Sequence, residues 1–194
     1  MTLIDFTQPT LYFSASFIVF NPLFWNIVAR SEYKQQILSR WFPKREWACY
    51  ALAATIFTLG IARDAAYERA LRSQPAHELL QGPVSNALAV ALIACGNILV
   101  LTSFWALGIT GTFLGDYFGI LMDDMVTGFP FNVSSAPMYV GSTMSFVGTA
   151  LWMGKPAGLA LSCLVWCVYK VALAYEDPFT AEIYRKRNQE KKTH

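Results

Sequence analysis

From Leu79 to Gly115 the chain reads LLQGPVSNALAVALIACGNILVLTSFWALGITGTFLG, without one Asp, Glu, Lys or Arg. Phe6 to Ala29 and Met125 to Gly154 are equally free of charge. A bilayer-spanning helix needs roughly 20 predominantly apolar residues, and runs of this length exceed what the core of a small soluble domain uses. Across all 194 residues, 55% are apolar and 14% charged, against about a quarter charged in soluble domains. A soluble enzyme and a disordered tail are therefore excluded. So is a nucleic-acid binder, because the net charge of +2 comes with no basic stripe interleaved with aromatics.

Five apolar segments follow. They are Leu11–Ala29 with Asn21-Pro22 in its middle, Trp47–Ala62, short but extendable past Arg63 by snorkelling, Asn86–Leu107, Tyr139–Met153 and Ala157–Tyr175. Gly154-Lys155-Pro156-Ala157-Gly158 joins the last two as a tight helix–helix turn. The expected fold is all-α: one domain over 1–194, a polytopic integral membrane bundle of about three to five membrane helices whose last two form a hairpin. The N-terminus lacks a basic n-region, its only early charge being Asp5, so no cleaved signal peptide is expected. Arg30, Lys34, Arg40, Lys44 and Arg45 precede the second segment, and Arg185, Lys186, Arg187, Lys191 and Lys192 follow the fifth. The excess of Lys and Arg on cytoplasmic sides predicts that both stretches, the C-terminal tail included, are cytosolic. Cys49, Cys95, Cys163 and Cys167 form no CxxC pair, and His77 and His194 lie far off, so buried thiols and no metal are expected.

Leu107–Pro137 (LGITGTFLGDYFGILMDDMVTGFPFNVSSAP) carries the most unusual chemistry. It has three acids, Asp116, Asp123 and Asp124, no basic residue, and Gly at 108, 111, 115 and 119. Two readings of the last three glycines stand: small-xxx-small helix packing, or close backbone approach to a cofactor. Asp116 at a membrane boundary is costly unless it faces a polar cavity, which makes it a functional candidate. Pro137-Met138-Tyr139-Val140-Gly141-Ser142 reads as a helix start with an interfacial Tyr. In Tyr175-Glu176-Asp177-Pro178, two acids at an expected helix C-terminus oppose the macrodipole. They call for a cationic or hydrogen-donating partner, or else reach Arg185 or Lys186. Carboxylates with ring faces from Tyr117, Phe118, Phe129, Phe131, Tyr139 and Trp152 suit a cationic ligand. On these residues alone, an organic-cation carrier and an enzyme with a cationic substrate fit equally.

Longer blocks are more specific. Phe20–Arg30 (FNPLFWNIVAR), Leu107–Leu121, Pro137–Tyr139 with Gly141-Ser142, and Glu176–Tyr184 (EDPFTAEIY) resemble the phosphatidylethanolamine N-methyltransferase family over nearly the whole chain. Thr127–Ser134 and Ala53–Phe57 are most similar to fungal members, which chiefly perform the second and third methylations leading to phosphatidylcholine. The resemblance implies S-adenosylmethionine as methyl donor, a membrane phospholipid as substrate, and residence in the endoplasmic reticulum, with mitochondrial membranes as a second site. It implies a donor site built from a GxG element, here Ala94-Cys95-Gly96 with Ala at the first position, and an acid pair, here Glu176 and Asp177. Pro137 to Gly141, with Tyr139, is also similar to a donor-pocket motif of isoprenylcysteine methyltransferases, with Ala136 where those have His. A methyltransferase with an isoprenylcysteine-like acceptor is therefore the neighbouring alternative. Methyl transfer from a sulfonium requires a neutral amine, whose pKa is roughly 10 by analogy with lysine. Asp116 is accordingly expected as base or electrostatic support, Tyr117 and Tyr139 as a cage for the methylated ammonium, and Glu176 and Asp177 as holders of the donor. Arg30, Lys34 and Arg45 are candidates for the lipid phosphate.

Overall fold

A computed structural model describes residues 2–123 and 126–193; Asp124 and His194 lie outside the described residues, as do the side chains of Lys191 and Lys192. Five α-helices carry the chain: α1 Pro9–Gln35, α2 Arg45–Ser73, α3 Pro83–Thr112, α4 Pro137–Trp152 and α5 Pro156–Thr193. No strand occurs among the described residues. Proline opens α1, α3 and α4 within their first turn, where its missing N–H costs nothing.

Four helices are long and apolar enough to cross a membrane: α1, α2, α3 extended to Phe118, and α5 as far as Arg187. α4 is not among them, but the chain's course runs it back between α3 and α5. His77 N–H donates to the Gly154 carbonyl at 2.9 Å and Lys155 Nζ to Gln74 O at 2.6 Å, which ties the start of α3 to the start of α5. At the other end Tyr117, just beyond α3, stacks on Phe179 of α5. The two helices run in the same direction, so α4 makes the return between them. Its 16 residues reach only about 24 Å at ~1.5 Å per residue. The α4–α5 hairpin forms as expected, turning on Gly154 at φ 65. The Arg30–Arg45 connection, the stretch after Gly108 and the last turns of α5 gather at one end, called here the basic end.

α2 extends past Arg63 as expected, and α5 outruns its expected limit. Beyond Ala62, α2 continues because the Arg63 guanidinium is covered: Nη1 donates to Tyr169 Oη at 2.5 Å, Nη2 lies 2.8 Å from Asp64, and the group sits over the Phe146 ring. Tyr67, Ala70 and Leu71 on the added turns are buried, and Tyr67 donates to the Phe146 carbonyl at 2.9 Å. α5 does not end at Tyr175 but runs through Pro178 for 38 residues. Glu176 and Asp177 are therefore mid-helix and oppose no helix terminus. The alternative pairing does not form either, because Arg185 and Lys186 are engaged by Glu182.

The glycines after Gly108 do not form a packing stripe. Gly108, at φ 64, breaks α3, the helix stops at Thr112, and Gly115–Phe118 winds into a 3-10 turn closed by Gly119 at φ 77. Small-residue packing operates elsewhere, on the α3–α4 seam. The buried positions of α3 are Ala89, Gly96 and Ser103, seven residues apart, and Gly96 and Ala89 face Gly141 and Gly148 of α4. A Cβ on Gly96 would overlap the Gly141 carbonyl oxygen, and one on Gly141 would sit 2.5 Å from the Gly96 carbonyl. Of the cysteines only Cys49 is buried; Cys95, Cys163 and Cys167 are exposed on the outer faces of α3 and α5. That corrects the expectation of buried thiols: an apolar environment is available outside a membrane bundle as well as inside it. Among the described residues no group of acids, His and Cys is arranged to hold a metal.

Candidate functional site

Glu176 is buried at the basic end, where α1, α4 and α5 meet. Its Oε1 accepts from Trp25 Nε1 and Asn26 Nδ2, both at 2.7 Å, and its Oε2 accepts from Tyr139 Oη at 2.6 Å. All three partners are neutral. A carboxylate offers about four lone-pair sites, so three are filled and one on Oε2 remains. α1 presents Trp25 and Asn26 on consecutive positions, and Tyr139 comes from the first turn of α4, set by Pro137. Tyr139 is held in turn by an edge contact with Tyr169, centroids 4.7 Å apart.

Asp116 lies on the 3-10 turn, and its Oδ2 accepts from Thr180 Oγ1 of α5 at 2.7 Å. It is close enough to Glu176 to feel its charge. The ion pairs among the described residues are Arg63–Asp64, Arg72–Glu68, and Arg185 and Lys186 with Glu182; neither Asp116 nor Glu176 has a cationic partner. The Tyr117 ring stacks on Phe179 at 4.9 Å and 19°. Its hydroxyl and Asn26 Oδ1 are sealed from solvent without a hydrogen-bond partner. Unpaired buried polar atoms are uncommon in folded proteins and call for an explanation. Two carboxylates without a counter-ion, two orphaned polar atoms and five aromatic residues, Trp25, Tyr117, Tyr139, Tyr169 and Phe179, make an environment suited to a cation with hydrogen-bonding groups.

Several sequence candidates lie apart from this cluster. Ala94 and Cys95 are exposed on the outward side of α3, while Gly96 and Gly141 meet each other in the helix seam. Asp177 is exposed, turned from Glu176 by the one-residue step of the helix. Trp152 sits at the opposite end of α4, Phe129 is exposed, and Phe118 is buried among Ala48, Cys49 and Leu52. Asp123 is exposed and offers its backbone carbonyl to Arg187. The sequence reading did not single out Trp25, Asn26, Phe179 or Thr180. The first two had a signal: a buried amide and an indole N–H in a charge-free membrane helix need partners.

The profile of the phospholipid methyltransferase family matches residues 84–187. This chain belongs to that family. The match spans α3, the 3-10 turn, α4 and most of α5, whereas Trp25 and Asn26 lie before it. Relatives extend the likeness over almost the full length. Phosphatidyl-N-methylethanolamine N-methyltransferase of Neurospora crassa is 61% identical over 97% of this chain and 88% of its own. The protein of that name from Saccharomyces cerevisiae is 59% identical over 90% of this chain and 84% of its own. Human phosphatidylethanolamine N-methyltransferase is 49% identical over 95% and 92%. No solved structure gives a significant match.

Proposed function

We propose that the chain methylates the headgroup amine of a phospholipid, with phosphatidyl-N-methylethanolamine and its dimethylated product as acceptors and S-adenosylmethionine as donor. The observation that carries this reading is Glu176: a buried carboxylate held by Trp25, Asn26 and Tyr139, with a vacant lone pair and no cation of its own. Family membership supports the reaction class. The relatives of highest identity, which carry the methylethanolamine name, support the choice of acceptor.

S-adenosylmethionine supplies a methyl group on a sulfonium. Around it, Glu176 would take the donor's ammonium through the remaining Oε2 site, with Asp177 reaching the same ligand from the rim. Tyr139 and Tyr117 offer ring surface to positive charge, while Asn26 Oδ1 and Tyr117 Oη supply the unpaired polar atoms. Pro137 and the Gly96–Gly141 contact fix the depth at which Tyr139 stands. Asp116, with its second oxygen uncommitted to any side chain, would accept the proton that the lipid ammonium must lose before its nitrogen can attack. Holding amine and donor in line is the larger contribution, because it replaces a bimolecular encounter. This reading puts the chain in the endoplasmic reticulum membrane with the basic end and tail in the cytosol, an orientation supported by the concentration of Lys and Arg there.

The test offers unmethylated, monomethylated and dimethylated phosphatidylethanolamine separately to the purified protein with methyl-labelled S-adenosylmethionine. Label is expected on the mono- and dimethylated lipids. Donor binding without transfer to any of the three would overturn the assignment.

A further inference from the structure

Accepting that reading, the amine of the lipid has partners, but the phosphate two carbons away does not. We propose that Arg30 is the phosphate-binding residue, with the α1–α5 cleft receiving the phosphodiester while the amine reaches toward Glu176 and Asp116. Arg30 stands one helical turn beyond Asn26, about 6 Å further along α1, so α1 sets a cation and the Glu176-binding amide on successive turns facing α5. The cleft measures ≈ 340 Å³ and is lined by Arg30, Ala174, Tyr175, Pro178, Phe179 and Glu182. Ala174, Tyr175 and Pro178 are exposed on the outer face of α5, so the cleft opens sideways, where acyl chains stay among their neighbours.

The guanidinium is both held and unspent. It lies over the Phe179 ring at 4.7 Å and near Tyr175 at 5.8 Å, and Nη2 donates to the Tyr175 carbonyl at 2.7 Å. Pro178, on the same face, lacks an N–H for the Ala174 carbonyl four residues back, and Arg30 meets the helix at the next carbonyl, that of Tyr175. One of five N–H groups is used, and no carboxylate pairs with Arg30 among the described residues. A planar, pre-oriented fork with free donors matches a phosphodiester. The other cations at hand are placed differently. Lys34 is exposed, Arg45 reaches toward Gly119, and Arg185 and Lys186 are bound by Glu182, whose charge on the cleft rim they offset. Two anions answer to this chemistry, the lipid phosphate and the carboxylate of the donor, and the assignment is to the phosphate.

The experiment compares phosphatidyl-N-methylethanolamine with an analogue in which an ether replaces the phosphodiester, and measures donor affinity separately by calorimetry. Wild type is expected to prefer the phospholipid by about tenfold or more in kcat/KM, the scale of a charge-assisted contact. Arg30→Gln is expected to lower that value about tenfold, leave the ether lipid and donor affinity within about twofold, and be partly rescued in Arg30→Lys. Equal loss on both lipids, weakened donor binding, or a wild type indifferent to the phosphate would each overturn the assignment. Should Arg30→Gln fail to fold, inhibition of wild type by a dialkyl phosphate decides: competition with the lipid acceptor is expected, and no inhibition, or competition with the donor, overturns it. A wild type that methylates neither lipid defeats the proposed function first, and the two failures are thereby distinguished.

Discussion

The α3–α4 seam and the α1–α5 seam join helices of one bundle by different means. Across the first, Gly96 and Gly141 lie backbone to backbone, with Gly148 against the Ala89 carbonyl two turns deeper. Across the second, Trp25, Asn26 and Arg30 reach over to Glu176 and Tyr175 through hydrogen bonds of 2.7 Å. Lipid tails are as apolar as leucine, so helices in a membrane associate through close packing or polar contacts rather than hydrophobic drive. Each seam uses one of these. The difference decides where chemistry can occur. A backbone contact has nothing to exchange with a ligand, whereas a hydrogen-bonded carboxylate with a vacant lone pair does.

The sharpest way to break the packed seam is Gly96→Val. Its nearest neighbour is the Gly141 carbonyl oxygen, followed by Ser145 Oγ at 2.7 Å and Ser145 N at 3.1 Å, so relief requires moving the α4 backbone. Overpacking in well-packed cores typically costs 1–3 kcal/mol, and with backbone as the obstacle about 3 kcal/mol or loss of folded protein is expected. Gly60→Val in α2, with nothing within 4 Å, is the matched control and should be tolerated. Thermal unfolding in detergent, followed by size exclusion, compares the two. Equal melting temperatures would show that the seam does not depend on the missing side chain.

The polar seam should fail in function before it fails in fold. Glu176→Gln keeps an oxygen for Trp25 and Asn26 and presents an N–H₂ to Tyr139, whose hydroxyl turns to accept. The melting temperature should therefore move little, while affinity for S-adenosylmethionine falls about tenfold or more, as for a lost hydrogen bond to a charged group. Glu176→Ala adds stranded donors, at about 1–3 kcal/mol each. Normal donor affinity in the Gln variant would leave Glu176 a structural tie only.

What could be read from the sequence divides along the same line. α3 and the α4–α5 hairpin were legible because absence of charge and a Gly/Pro turn are local properties. The end of α5 was not, because Glu176-Asp177-Pro178 looks like a stop, and α2 was legible as extendable past Arg63 but not through the Tyr169 and Phe146 contacts that cover the guanidinium. Glu176 was legible as an acid at a membrane edge, but for a reason that did not hold. Its actual partners on α1 lie 150 and 151 residues upstream, beyond the reach of any local pattern. The glycines at 111, 115 and 119 have the spacing of a packing motif, yet Gly108 kinks α3 and the helix such a motif requires stops at Thr112.

The smallest effect is expected at Asp177, and it tests whether the two acids act as a unit. A step of one residue turns the side chain about 100° around a helix of 3.6 residues per turn, and Asp177 is exposed while Glu176 is buried. An exposed charge is screened by water and salt, and its interactions are commonly worth less than about 1 kcal/mol. Asp177→Asn should therefore reduce donor affinity by only a few-fold, with that deficit shrinking as salt is raised, whereas the deficit of Glu176→Gln persists. Binding measured for both variants at low and high ionic strength separates the cases. An Asp177→Asn loss as large and as salt-resistant as that of Glu176→Gln would mean that the helix turns further in the bound state, bringing both carboxylates onto the donor.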